Sequence, residues 1–94
     1  MKNAFLIATF LAALATSAQA ACYADYKAKQ DGPLRLIYGV AQLPDSACTK
    51  PAAQAELKRR LASDGWTLLN VVSIFGPEGL AQRKASAGQY FLRY

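Results

Sequence analysis

Residues 59–75 read RRLASDGWTLLNVVSIF. Basic, helix-forming residues stop at Asp64-Gly65, and an almost wholly apolar run follows, opened by the only tryptophan of the chain. A glycine at such a junction supplies the left-handed residue that closes a helix. Reading backwards, Ala53, Leu57 and Leu61 recur at i, i+4 and i+8, so 51–63 (PAAQAELKRRLAS) is a helix with one buried stripe. Pro51 suits its first turn, with Thr49 or Lys50 as the cap. Glu56 can pair with Arg59 or Arg60 one turn on. Trp66, one residue past the glycine, is expected to fold under the helix end beside Leu61 rather than to offer a stacking surface to a ligand.

Reading forwards, 66–75 is a strand. Trp66, Leu68, Val72 and Ile74 share one side with Asn70; Leu69, Val71 and Phe75 share the other with Thr67 and Ser73. Two apolar sides point to a central strand. Upstream, 22–29 (CYADYKAK) and 34–43 (LRLIYGVAQL) both alternate, the first with Cys22, Ala24, Tyr26 and Ala28 inward, the second with Leu34, Leu36, Tyr38 and Val40. A short hairpin at Gln30-Asp31-Gly32 would set Ala28 opposite Leu34, Tyr26 opposite Leu36 and Cys22 opposite Val40. Pro44-Asp45-Ser46 ends the second strand. Residues 76–88 (GPEGLAQRKASAG) form a long connection, of the kind that carries function or a small helical turn. Residues 89–94 (QYFLRY) read as a fourth strand. The expected fold class is α+β: a four-stranded antiparallel sheet, β-β-α-β-β, with one helix packed on one face. Spatial order 1-2-4-3 keeps all neighbours antiparallel.

The first twenty residues stand apart. Lys2 precedes an apolar run from Ala4 to Ala15, and Ala18-Gln19-Ala20 is a small-x-small cleavage site. This is the pattern of a secretory signal peptide cut after Ala20, with a single small domain over 21–94 and a periplasmic or secreted location. The apolar run falls short of the roughly 20 residues of a membrane-spanning helix, which argues against a retained anchor. No second run of that length follows, so no transmembrane segment is expected after cleavage. Gln19, three residues before Cys22, stands where a lipoprotein signal has an aliphatic residue, which argues against lipidation.

After Ala20 the chain holds two cysteines, Cys22 and Cys48. An even count in an exported chain points to a disulfide. Two free thiols or a metal pair are the competing readings, and with no histidine and no third cysteine zinc would lack its usual ligands. A chain this short buries a modest fraction of its surface, so such a bridge matters.

The absence of histidine also removes Ser-His and Cys-His catalysis. The six carboxylates, Asp25, Asp31, Asp45, Glu56, Asp64 and Glu78, fall at turns, caps and polar faces with no spacing that forces two together. Gly76-Pro77-Glu78-Gly79 lacks the Lys-Ser/Thr of a phosphate loop and reads as a turn. No catalytic activity and no cofactor are expected. The whole chain carries a net charge of +5, or +4 once Lys2 is removed. That excess suits anionic surfaces, lipid or polymer, as readily as plain solubility. Lys58-Arg59-Arg60 splay around a helix at about 100° per residue and read as a solvated face. The spread of the basic residues and the export signal argue against nucleic acid.

Asp64-Gly65-Trp66-Thr67-Leu68-Leu69-Asn70-Val71 resembles the "helix, then Gly-Trp-x-Leu-Val" turn of the domain-of-unknown-function family numbered 4177. Tyr23-Ala24-Asp25-Tyr26-Lys27 and the aromatic last segment fit the same plan. The long second strand and the cysteine pair depart from it. The resemblance implies a fold and no activity, and the chain also looks like small hypothetical exported proteins of Gram-negative bacteria.

One helix covers one face of a sheet. Leu69, Val71 and Phe75, with Ile37, are therefore expected on an open apolar face, with Arg83, Lys84 and Arg93 at its rim. The expected role is a non-catalytic interaction or self-association module of the cell envelope, pairing with a second copy or an envelope protein. The alternative is a peripheral binder of anionic envelope lipid or polymer.

Overall fold

Alternating residues make two antiparallel neighbours of the first two strands, β1 (Cys22–Gln30) and β2 (Arg35–Leu43), joined by a turn over 31–34. The computed structural model describes residues 22–94; the expected signal peptide and its cleavage site lie outside the described residues. The helix α1 runs Lys50–Ala62, the third strand β3 Thr67–Phe75 and a second helix α2 Leu80–Ala87. The sheet has three strands in the order β2-β1-β3, all antiparallel. The fold is α+β, but the four-stranded sheet with one helix is overturned on two counts.

The first is the region after β3. Pro77–Gly79 makes a 3-10 turn and the expected long connection becomes α2, so the chain reaches 89–94 running alongside β2 rather than antiparallel to a neighbour. QYFLRY makes no strand. It contributes a 3-10 turn at Gly88–Tyr90, one parallel bridge between Phe91 and Val40, and a bond from Leu92 N–H to Val40 O at 2.8 Å. The second is strand order. The apolar strand 67–75 lies at an edge, and the centre is β1, which carries Asp25, Lys27 and Lys29.

The hairpin register also differs. Cys22 lies opposite Leu43, Tyr26 opposite Gly39 and Ala28 opposite Ile37, three residues from the expected pairing. An odd shift exchanges the faces of β2. Two physical reasons favour the observed register. The expected one would seat Pro33, which has no N–H to donate, in the ladder opposite Lys29. The observed one places Gly39 across from Tyr26, whose ring closes over it: a Cβ at Gly39 would clash with the Tyr26 hydroxyl and ring edge. Only glycine lets so large a ring be fully buried there.

β3 carries two bulges, which leave Leu69 and Val72 outside the pairing with β1. Each extra residue resets the alternation. Leu68, Val71 and Ile74 consequently pair with Ala28, Tyr26 and Ala24, and all belong to the side of the sheet that packs on α1. That core holds Ala24, Tyr26, Ala28, Ala41, Leu43, Ala53, Leu57, Leu61, Trp66 and Val71.

The helix end and the turn that follows it, 59–66, behave as their sequence suggests. Thr49 Oγ1 caps α1 by accepting from Ala52 N–H. At the other end Trp66 N–H donates to Leu61 O at 3.0 Å and Gly65 N–H to Ala62 O at 3.1 Å, with Gly65 at φ +81°. This crossed pair is a Schellman closure, which brings the residue after the glycine back against the last helical turn. Trp66 is buried in the same cluster as Leu61.

Cys22 and Cys48 form a disulfide, with Cα atoms 6.0 Å apart, that ties the start of β1 to the approach to α1. Closing a span of 26 residues restricts the unfolded chain and is worth about 3.5 kcal/mol in the chain-entropy model. Replacing both cysteines with serine should move the urea unfolding midpoint down by that free energy divided by the m-value, with the native far-UV spectrum retained at low denaturant.

Candidate functional site

The face of the sheet turned away from α1 carries the polar residues of β1 and β3, and α2 covers part of it. Asp25 is buried there. Tyr38 Oη donates to its Oδ2 at 2.8 Å, Ser73 Oγ to its Oδ1 at 2.6 Å, and Arg83 Nε to its Oδ2 at 3.1 Å. One carboxylate thus joins all three strands to α2. Burial by itself would raise the Asp25 pKa; the hydrogen bonds from Ser73, Tyr38 and Arg83 outweigh it and hold the carboxyl below its ordinary value. Burial, then the same carboxylate, push the Tyr38 phenol up to about 12. Arg83 Nη1 also donates to Gly79 O at 2.8 Å, and the guanidinium lies 4.0 Å over the ring of Phe75, which stacks on Tyr23.

This cluster contains an acid and a hydroxyl in contact, the minimum for a base-assisted nucleophile. A carboxylate that is a weaker base than usual, with its oxygens already engaged by three donors, is poorly suited to take the Ser73 proton. Its chemistry is that of a latch holding α2 to the sheet.

Beyond α2 the same face is open at the hairpin end. Leu36 and Leu69 are 67% and 50% exposed, and with Lys27, Ile37 and Tyr38 they line a shallow depression of ≈ 320 Å³. Leu34, in the turn, is 63% exposed. Lys27 is exposed at the rim, while Lys29 pairs with Asp31 at 3.3 Å. A second groove, between α1 and the outer edge of β3, is lined by Pro51, Gln54, Ala55 and Lys58 of the helix and Leu68, Leu69 and Asn70 of the strand.

The residues expected on one open face are therefore dispersed. Leu69 is on it. Val71 is buried in the core, and Ile37 is half-buried against that core. Phe75 is half-buried beneath Arg83, and Arg83 is committed to Asp25 rather than to a rim. Lys84 and Arg93 are exposed near the C-terminus, Lys84 Nζ 5.9 Å from the Phe91 ring and the Arg93 guanidinium 5.8 Å from that of Tyr94. Leu36 and Tyr38, expected inward, belong to the open face because of the register. Pro33 was the available signal for that. Nothing local marks Asp25, whose partners lie 13, 48 and 58 residues away.

Among the described residues no group of three or more His, Cys, Asp or Glu side chains is placed to hold a metal, and no helix is long and apolar enough to cross a membrane. Compared with known protein families, curated proteins and solved structures, the chain matches none. Its functional reading rests on its own surface.

Proposed function

We propose that this chain is a non-catalytic, exported interaction domain of the cell envelope that docks a protein partner on the open hairpin end of its second sheet face. The observation that carries the reading is the exposure of Leu36 and Leu69 around one depression, on a chain with few residues in which to hide apolar surface. The disulfide supports an oxidising compartment, as does the signal-like N-terminus. The engaged state of Asp25 and the lack of histidine support a role without catalysis.

A photo-crosslinking residue at Leu36 should give one discrete adduct with an envelope protein, and Leu69→Glu should remove it while the melting temperature stays close to that of the parent. Diffuse labelling unaffected by Leu69→Glu would defeat the reading.

A second reading is favoured by Lys27 beside Leu36 and Leu69 and by the net charge of +4 left once Lys2 is removed: peripheral attachment to anionic lipid or polymer. Cosedimentation with phosphatidylglycerol vesicles separates the two. Attachment through charge should weaken steeply above about 0.2 M salt, where screening acts within about a nanometre, whereas docking through aliphatic side chains should not.

A further inference from the structure

We propose that an extended, acidic segment of a partner protein adds to the sheet as a strand beside β3, seated in the groove between that strand and α1. The two edges of the sheet are treated differently by the fold. At β2 the C-terminal segment bridges Val40 through Phe91, and Leu92 N–H donates to Val40 O. The outer side of β3 receives no backbone hydrogen bond among the described residues. Edge strands ordinarily carry lysine, proline or inward charge, or are short. β3 runs for nine residues, TLLNVVSIF, with no charge and no proline.

The helix supplies the second wall. Pro51, Gln54, Ala55 and Lys58 recur at i, i+3, i+4 and i+7, so they form one stripe along α1. It lies beside the stripe of Ala53, Leu57 and Leu61 that packs into the core. Proline and alanine are short, and they leave a groove of ≈ 430 Å³ along the strand. Leu68, Leu69 and Asn70 make the opposite wall. A helix set along an unpaired strand suits an added peptide strand: the backbone ladder supplies affinity, and alternate side chains meet the walls and supply specificity.

Charge selects the occupant. Among the described residues Lys58 is the charged group of the groove walls, and no carboxylate lines them. Lys58 makes no ion pair among those residues, whereas Glu56 holds both Arg59 and Arg60 of the same helix. The amides of Gln54 and Asn70, both exposed, add donors for a carboxylate. The chain as a whole is basic, which attracts an acidic segment and repels a second copy. Aliphatic residues of the segment meet Leu68 and Leu69, the latter exposed beside the open backbone. The groove shares only Leu69 with the Leu36 depression, and the proposal holds whether or not that depression docks a partner.

The probe is a synthetic peptide of alternating valine and glutamate, added to the purified, disulfide-bonded protein at low salt. It should bind, and hydrogen exchange of β3 amides should slow while that of β1, already paired on both sides, stays unchanged. The valine–lysine counterpart should bind about tenfold more weakly. Lys58→Glu, with the far-UV spectrum of the parent, should reverse that order. A valine–glutamate peptide methylated on its backbone amides keeps the charge, loses the ladder and should not bind. Leu36→Ser, which alters the depression alone, should bind the probe as the parent does. Equal binding of the two peptides, a preference unmoved by Lys58→Glu, binding of the methylated peptide, or β3 exchange unaffected by the probe would each overturn the proposal. So would β3 exchange that slows with protein concentration in the absence of peptide, since the edge would then pair with a second copy. Binding lost in Leu36→Ser would overturn it too, by placing the peptide in the depression.

Discussion

Asp25→Ala should destabilise the protein by about 3 kcal/mol or more, the cost of removing one member of a buried ion pair and stranding the other. The substitution takes the acceptor from Tyr38, Ser73 and Arg83 together. Arg83 keeps its bond to Gly79 O and some access to water, which holds the loss toward the lower end of the 3–5 kcal/mol range. Against a total of roughly 4–11 kcal/mol for a domain of this size, this is a large fraction. Urea unfolding measures it, and hydrogen exchange should show α2 loosening first, because Asp25 joins that helix to all three strands. An Asp25→Ala protein within about 1 kcal/mol of the parent would show that α2 is held by something else.

The same group sets an acid limit. The native pKa of Asp25 lies below its unfolded value near 3.8. Its contribution is therefore complete above about pH 4 and disappears as pH falls through the lower, native value. Glu56, held low by hydrogen bonds from Arg59 and Arg60, acts in the same direction but at the surface, where such pairs are worth little. The unfolding midpoint should fall on acidification below about pH 4, and Asp25→Asn should flatten most of that fall.

Trp66→Ala should cost about 3–5 kcal/mol, the usual loss for truncating a large buried aromatic. The ring is buried with Leu61, meets Tyr90 edge-on at 5.8 Å and lies 5.3 Å beneath the Arg35 guanidinium. Removing it empties the space under the end of α1 and takes away a partner of the C-terminal segment, whose remaining holds include Arg60 Nη1 to Tyr94 O at 3.0 Å and Tyr94 Oη to Asp64. At 4–8 °C per kcal/mol for a domain of this length, the melting temperature should drop by more than about 12 °C. Circular dichroism is the suitable readout, since the substitution removes the only tryptophan fluorophore. A drop of only a few degrees would show that the ring is not a packing element.

How much of this was legible in the chain divides along one line. Helix α1, its Thr49 cap, its closure at Gly65 and the return of Trp66 onto Leu61 depend on contacts within about five residues, and the local order of residues carries that information. The cysteine pair was legible for a different reason: two cysteines allow only one intramolecular bridge. The α+β class follows from the same local signals. The open face was legible only in part. Leu69 was named for it, whereas Leu36 and Tyr38 were assigned inward by a register that ignored Pro33.

The remaining features were settled by partners distant in sequence. Three residues of register decided which side of β2 meets the core, and the room that Gly39 leaves for Tyr26 weighs in that choice. Two bulges moved Val71 inward and left Leu69 on the open face without any change in the apolar content of β3. Residues 80–87 form a helix that sets Arg83 against Asp25 on the polar face, and 89–94 run from that helix to the edge of β2. Local sequence determined helix α1, both its ends and the three extended segments; it did not settle residues 76–94, and it does not choose among pairings that bury similar apolar area. The three-dimensional arrangement made that choice, through one buried carboxylate and one aromatic ring whose partners are assembled only in the folded chain.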